Sequence, residues 1–153
     1  MTKYIGLLIS TTFSLASFNT ITSLDIVRAN YTKVVSNKEL CEKMIGELAE
    51  TKIKSATQLA YLGGLQAIWA NHVFNPLSKL NTFKKGKKNI EQAIDLEPDN
   101  VELRFVRLSV QKNAPSFLGY KSNIHEDTEF IKKNCPQIGS EIVRKNIELL
   151  LKN

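Results

Sequence analysis

Residues 55–98, SATQLAYLGGLQAIWANHVFNPLSKLNTFKKGKKNIEQAIDLEP, decide the fold. Leu59, Leu62, Leu65, Ile68 and Trp69 recur at the intervals that line one face of an α-helix. Asn75-Pro76 ends that helix and opens another, with Asn as cap and Pro at the first helical position, where its missing N–H is no loss. Leu77, Leu80, Phe83, Ile90, Ala93 and Ile94 carry the second stripe to Leu96, and Pro98 stops it. Within the first stripe, between Leu62 and Leu65, lies Gly63-Gly64. Each Gly costs about 1 kcal/mol relative to Ala inside a helix. Such a pair predicts either close approach of a neighbouring backbone or a break in the helix.

The same period extends in both directions. Ser36 and Glu39 have capping-box spacing, and Leu40, Met44, Ile45, Leu48 and Ile53 follow at helical intervals. After Pro98, Asp99 and Glu102 repeat the cap spacing, and Leu103, Val106 and Val110 form a stripe that Asn113-Ala114-Pro115 closes. Phe117, Leu118 and Tyr120 then form a short non-helical connection whose large apolar side chains need a groove. Residues 122–134 form a fifth helix with Ile124, Phe130 and Ile131. Ser140 caps a last one lined by Ile142, Val143, Ile147, Leu150 and Leu151. No segment alternates with a two-residue period between hairpin turns. The predicted fold class is all-α: antiparallel helix pairs, about six helices, in a single domain over residues 24–153.

Residues 1–23 are set apart as a secretory signal peptide: Lys3 precedes the uncharged run Tyr4 to Phe18, which is shorter than a membrane-spanning helix requires. Small residues suited to signal peptidase occur at Ser14 and Ala16 and again at Thr20, Thr22 and Ser23, so the cleavage point stays open. Localisation is therefore expected to be exported, periplasmic or secreted, with no stable membrane span after cleavage. The net charge of +6 is too modest and too dispersed to indicate a nucleic-acid partner. The two cysteines, Cys41 and Cys135, either pair as one disulfide, which an exporting compartment permits, or serve as small buried residues. Cys41 lies on the stripe of Met44 and Leu48, which fits the second reading.

Gly86, Ile90, Ala93 and Pro98, in GKKNIEQAIDLEPDN (residues 86–100), fall at the offsets of the second helix of a tetratricopeptide repeat, which the centre of the chain resembles. Tyr61, Leu62 and Gly63 stand where the first helix would be. The stretch from Gly63 to Gly86 is about twice the repeat's usual spacing, so a longer helix pair or an inserted loop is required. The resemblance implies a short array of stacked helix pairs with a concave surface that binds an extended peptide or protein. The run from Ile94 to Ile131 is also similar to exported bacterial proteins, a likeness that implies no activity.

No catalytic signature, phosphate loop or paired metal-binding cysteines occur, so no enzyme activity, cofactor or metal is expected. His125, Glu126, Asp127 and Glu129 are the densest set of possible ligands, but they read more simply as an acidic first helical turn. Lys84, Lys85, Lys87 and Lys88 read as a solvated helix side, with contact to a phosphate-bearing partner as the functional alternative. Arg104 and Arg107 share one helix face and either form surface ion pairs or clamp a carboxylate. Trp69 serves core packing or ligand stacking.

The expected function is non-catalytic binding of a peptide or protein partner, with Trp69, Arg104, Arg107 and Tyr120 as the binding candidates. The alternative is a helical bundle that binds a small molecule or lipid, and could be an enzyme, with Phe117-Leu118-Tyr120 beside Gly63-Gly64 lining its pocket. A purely structural subunit docking through residues 142–151 is the third reading. Oligomeric state is not encoded in any of these features.

Overall fold

The computed structural model describes residues 22–50, residue 52 and residues 55–152. The leader read from residues 1–23 thus lies outside the described residues, apart from Thr22 and Ser23, and so does Ile53. All regular structure among the described residues is helical: α1 (Ser23–Asn30), α2 (Lys38–Glu50), α3 (Ala56–Trp69), α4 (Pro76–Leu96), α5 (Val101–Asn113), α6 (Ile124–Asn134) and α7 (Glu141–Lys152). Short 3-10 turns at Ala70–His72, Ser116–Leu118 and Cys135–Gln137 join them.

Helix α1 is additional to the six expected. Thr22 and Asp25 form a complete capping box. Val27, Tyr31 and Val34 are buried at the spacing of one helix face. Three caps differ from the sequence reading by one residue, and in two of them a neighbouring Asn takes the capping bond. Asn37 accepts the Leu40 N–H at 2.9 Å, while the Ser36 hydroxyl turns back to the Lys33 carbonyl. Asn100 accepts the Glu102 N–H at 3.0 Å in place of Asp99. Asn123 rather than Ser122 precedes α6. Asn75 caps α4 with Pro76 behind it, as the sequence indicated.

The break at Gly63-Gly64 does not occur; α3 runs through it. A Cβ on Gly63 would lie 2.6 Å from the Gly86 carbonyl oxygen, and one on Gly86 would lie 2.5 Å from that of Gly63. Helices α3 and α4 therefore meet backbone to backbone. The matching of Gly63 with Ile90, Gln66 with Asn89 and Ala67 with Gly86 makes them antiparallel. A Cβ on Gly64 would collide with the Tyr31 hydroxyl, so this glycine admits the Tyr31 side chain. There the ring meets Tyr61 and Phe105 edge-on, at 5.0 and 5.9 Å between centroids.

Arg28 pairs with Glu102, and Tyr31 with Ser109, so α1 runs parallel to α5. Arg107 on Asp127 and Gln111 on Asn123 set α6 antiparallel to α5. Asn146 donates to the Arg28 carbonyl at 2.9 Å and ties α7 to α1. Leu65, Ile90, Leu103, Leu108, Ile131 and Ile147 are fully buried in one shared core, each contributing about 2 kcal/mol by leaving water.

Both cysteines are free, so the disulfide weighed from the sequence is not formed. Cys41 is buried in α2, with Sγ 3.6 Å from the Leu65 carbonyl oxygen, and burial pushes its thiol up to about 11. Cys135 sits at the end of α6 and is partly exposed.

Candidate functional site

The antiparallel order brings the end of α3, the start of α4 and the end of α5 to one end of the bundle. The parallel run of α1 beside α5 brings Tyr31 to Val35 there as well. These pieces do not close over one another. They leave an apolar cavity of about 690 Å³, open to solvent on one side. Ala67, Ile68 and Ala70 form one wall and Pro76, Leu80 and Phe83 the next. Phe105, Val110 and Ala114 form a third, and Leu149 and Leu150 of α7 a fourth. Phe117 and Leu118 stand at its edge.

Of the polar residues in the walls, Tyr31, Ser109, Asn113 and Asn146 make hydrogen bonds within the protein. The Tyr31 hydroxyl and Ser109 Oγ are 3.1 Å apart, and Ser109 also donates to the Val106 carbonyl. Burial pushes the Tyr31 phenol well above its ordinary range. Lys112 Nζ donates to the Leu150 carbonyl at 2.9 Å and holds the end of α7 against α5. Lys79 is the single titratable amine in the lining, and no Asp or Glu lines the cavity. A general base beside a nucleophile is not assembled there.

Gly119 has φ 62°, a left-handed conformation that glycine adopts without strain. It closes the Ser116–Leu118 turn and sends Tyr120 away from the cavity. The Tyr120 ring packs on α4, meeting Phe83 edge-on at 6.0 Å, with Lys87 Nζ 4.8 Å from its centroid. Its hydroxyl donates to Glu91 Oε1 at 2.5 Å. Burial first, and then the Glu91 carboxylate, push the phenol well above its ordinary range.

Glu91 links this ring to a second polar feature. Arg107 grips Asp127 with two bonds, Nε to Oδ2 and Nη2 to Oδ1, both 2.7 Å, and reaches Glu91 Oε2 at 3.0 Å through Nη1. Arg104 adds Nη1 contacts to Asp127 at 3.0 Å and Glu126 at 2.8 Å, with its plane 5.1 Å from the Phe130 ring. Burial opposes the charge on Arg107, but the Asp127 and Glu91 carboxylates together outweigh it and hold the guanidinium firmly protonated. The carboxylate that the two arginines clamp is thus internal.

The four sequence candidates separate accordingly. Arg104, Arg107 and Tyr120 come together in the α4–α5–α6 network, and none of them lines the cavity. Trp69 stands apart at the end of α3, half-buried, with His72 at 5.6 Å and Lys38 Nζ 5.7 Å from its ring. His125 and Glu129 are exposed, while Asp127 is fully buried on Arg107, so the acidic first turn divides between water and core. No group of three potential metal ligands converges among the described residues. Phe117 and Leu118 line the cavity, whereas Tyr120, Gly63 and Gly64, which the bundle alternative set there with them, do not; Tyr31, Phe105 and Leu149 were not anticipated. The spacing of Val27, Tyr31 and Val34 is the sequence signal that would have brought Tyr31 in. Among the described residues no helix is long and apolar enough to cross a membrane.

Comparison with protein families, with curated proteins and with solved structures gives no match. The functional reading therefore rests on the geometry above.

Proposed function

We propose that this protein is a non-catalytic carrier or receptor that takes one small apolar molecule, of acyl-chain character, into the cavity at the end of its bundle. The observation that carries this reading is the cavity itself: about 690 Å³ of apolar-walled space in a chain of 153 residues. That lies within the range of roughly 300–1,000 Å³ typical of small-ligand sites. The bundle reading is preferred to the peptide-binding one because Arg104, Arg107 and Tyr120 are engaged with Asp127 and Glu91. They are not left on a concave surface for a partner.

Export remains part of the proposal, carried by the uncharged run from Tyr4 to Phe18 behind Lys3. Kinship with tetratricopeptide repeats is likewise proposed, on the Gly86, Ala93 and Pro98 pattern and the tight α3–α4 seam.

Titration with Nile red, a neutral dye that fluoresces in apolar surroundings, tests the function. Saturable binding of one dye per chain is expected. Leu80→Trp, which projects an indole into the cavity, should weaken it at least tenfold while the circular dichroism spectrum stays helical. Absence of saturable binding, or equal binding by the Trp variant, overturns the proposal.

A further inference from the structure

Seven large hydrophobic side chains are exposed among the described residues, and they are not scattered. Val35, Phe117 and Leu149 belong to the cavity lining, while Phe74 and Leu77 lie between and beside the lining residues Asn71 and Pro76. Leu96 and Ile142 are elsewhere. Phe117 is 85% exposed, Leu77 67% and Phe74 102%, which is far beyond what a rim made only to enclose a ligand requires. Clustered apolar exposure of this kind marks a contact surface.

Residues 55–90, which build α3 and most of α4, contain no Asp or Glu and five lysines, at 79, 84, 85, 87 and 88. Residues 103–125, from α5 through the Phe117 turn, also lack acid. Five of the fifteen acids, Asp25, Asp95, Glu97, Asp99 and Glu102, stand at the opposite end, where α1 begins and α4 hands over to α5, while Glu39 and Glu42 open α2, whose Lys38 reaches Trp69 at the end of α3. Glu148, beside Leu149, is the one acid adjacent in sequence to a wall residue. The mouth itself is apolar, with Lys79 as its one charged lining residue and no Asp or Glu in the lining.

We infer that the mouth of the cavity docks on an anionic bilayer, with Phe117, Leu77 and Phe74 entering the acyl region and Lys79 among the head groups. A protein-facing surface would draw on Trp, Tyr and Arg as anchors. Here Arg104, Arg107 and Tyr120 are consumed internally and the rim offers Phe, Leu, Val and Lys. That composition is the one an interfacial membrane surface uses. The inference extends the proposed function, because an acyl-like ligand would then enter from the bilayer without crossing water, but the exposed apolar rim and its acid-free lining stand without it.

Sedimentation of the full chain with phosphatidylcholine vesicles, with and without phosphatidylglycerol, tests this docking. The chain should sediment with the mixed vesicles and less with the neutral ones. Phe74→Ser/Leu77→Ser, at two exposed residues outside the cavity lining, should lower vesicle binding at least tenfold and still take up Nile red. Lys79→Ala should lower binding to mixed vesicles about fivefold. Leu80→Trp should lose the dye yet keep the vesicles, so failure of docking and failure of the ligand proposal give different patterns. Wild-type chain left in the supernatant, or unchanged binding by the double Ser variant, overturns the inference. The latter result would leave only diffuse attraction between lysines and lipid, or a protein partner for the rim.

Discussion

Replacing Asp127 with Asn removes one charge from the Arg107–Asp127 pair while keeping the side chain's size, so its cost measures how far the fold depends on this internal clamp. Asp127 is fully buried and accepts three bonds from two arginines, and the Arg107 side chain is 5% exposed. An amide offers one acceptor where two are needed, and turns an NH2 group toward a guanidinium N–H. Breaking a buried pair in this way costs about 3–5 kcal/mol, because the surviving charge has no water to return to. Glu91 still reaches Arg107 at 3.0 Å, which places the expected loss near 3 kcal/mol. At about 2.1 cal/mol/K per residue, residues 22–152 unfold with an entropy near 0.27 kcal/mol/K, so Tm should fall by about 11 °C. Thermal melts followed by circular dichroism read this directly. The double variant Arg107→Met/Asp127→Leu should cost less than Asp127→Asn alone, since an apolar pair leaves no buried charge and Glu91 keeps Tyr120 and solvent. A Tm within about 3 °C of wild type for Asp127→Asn would refute the reasoning, as would additive losses in the double variant.

Gly86→Ala should destabilise by about 1–2 kcal/mol despite Ala's better helix propensity, because the new methyl meets Gly63 and Ala67 backbone; Gly46→Ala, with nothing within 4 Å, should instead stabilise by about 1 kcal/mol, and denaturant titration reads both. At pH 8 a thiol reagent should label Cys135 in the folded chain and Cys41 only after denaturation, since burial shields Cys41 and holds its thiol near 11. Rapid labelling of both would show that α2 does not pack on α3. The Thr22 hydroxyl and backbone N–H hold Asp25 below its usual 3.8, and Arg104 holds Glu126 below its usual 4.5. A carboxylate lowered on folding stabilises above its unfolded value and loses that contribution on protonation. Melting points should therefore be flat near neutrality and fall as pH drops below about 4.5, less steeply in Thr22→Ala.

The helices were legible because their signals are local. Asn75-Pro76, Pro98 and the apolar stripes placed α4, α5 and the start of α3 to within a residue or two, while α3 ends at Trp69, short of Asn75; Gly63 signalled the close α3–α4 seam. Helix α1 escaped because its capping box at Thr22 and Asp25 abuts the apolar run read as a leader. Its buried face, Val27, Tyr31 and Val34, repeats at helical spacing only three times, a signal that is present but weak beside that run. The fate of the arginines was legible only in outline. Arg104 and Arg107 share a face, which suggested a carboxylate partner, but that partner is Asp127, twenty residues away and hidden within an acidic first turn. Burial of Asp127 beside exposed Glu126 is a property of where α6 packs, which no pattern within α6 specifies. The cavity was less legible still. Its walls come from the turn after α1, from α3, α4 and α5, from the Phe117 turn and from α7, and a void is a failure of distant segments to meet, not a feature of any one of them.

The two ends of the bundle divide the work of stability and of binding. The Asp127 clamp and the Arg28–Glu102 pair brace the middle and acidic end, where α5 meets α6 and α1. At the mouth the links are fewer: the Lys112 bond to the Leu150 carbonyl and the Tyr31–Ser109 contact. A cavity of this size forfeits packing that a filled core would have, so it persists only where the rest of the fold over-determines the walls. The rigid α3–α4 seam does that on one side, because Gly63 and Gly86 leave those helices no freedom to shift inward. On the other side α7 is held through Asn146 and Lys112 and has the freedom the seam denies. Entry of a ligand should therefore move α7 and the Phe117 turn against a fixed α3–α4 pair. Hydrogen exchange would show protection gained in residues 141–152 and little change across the seam.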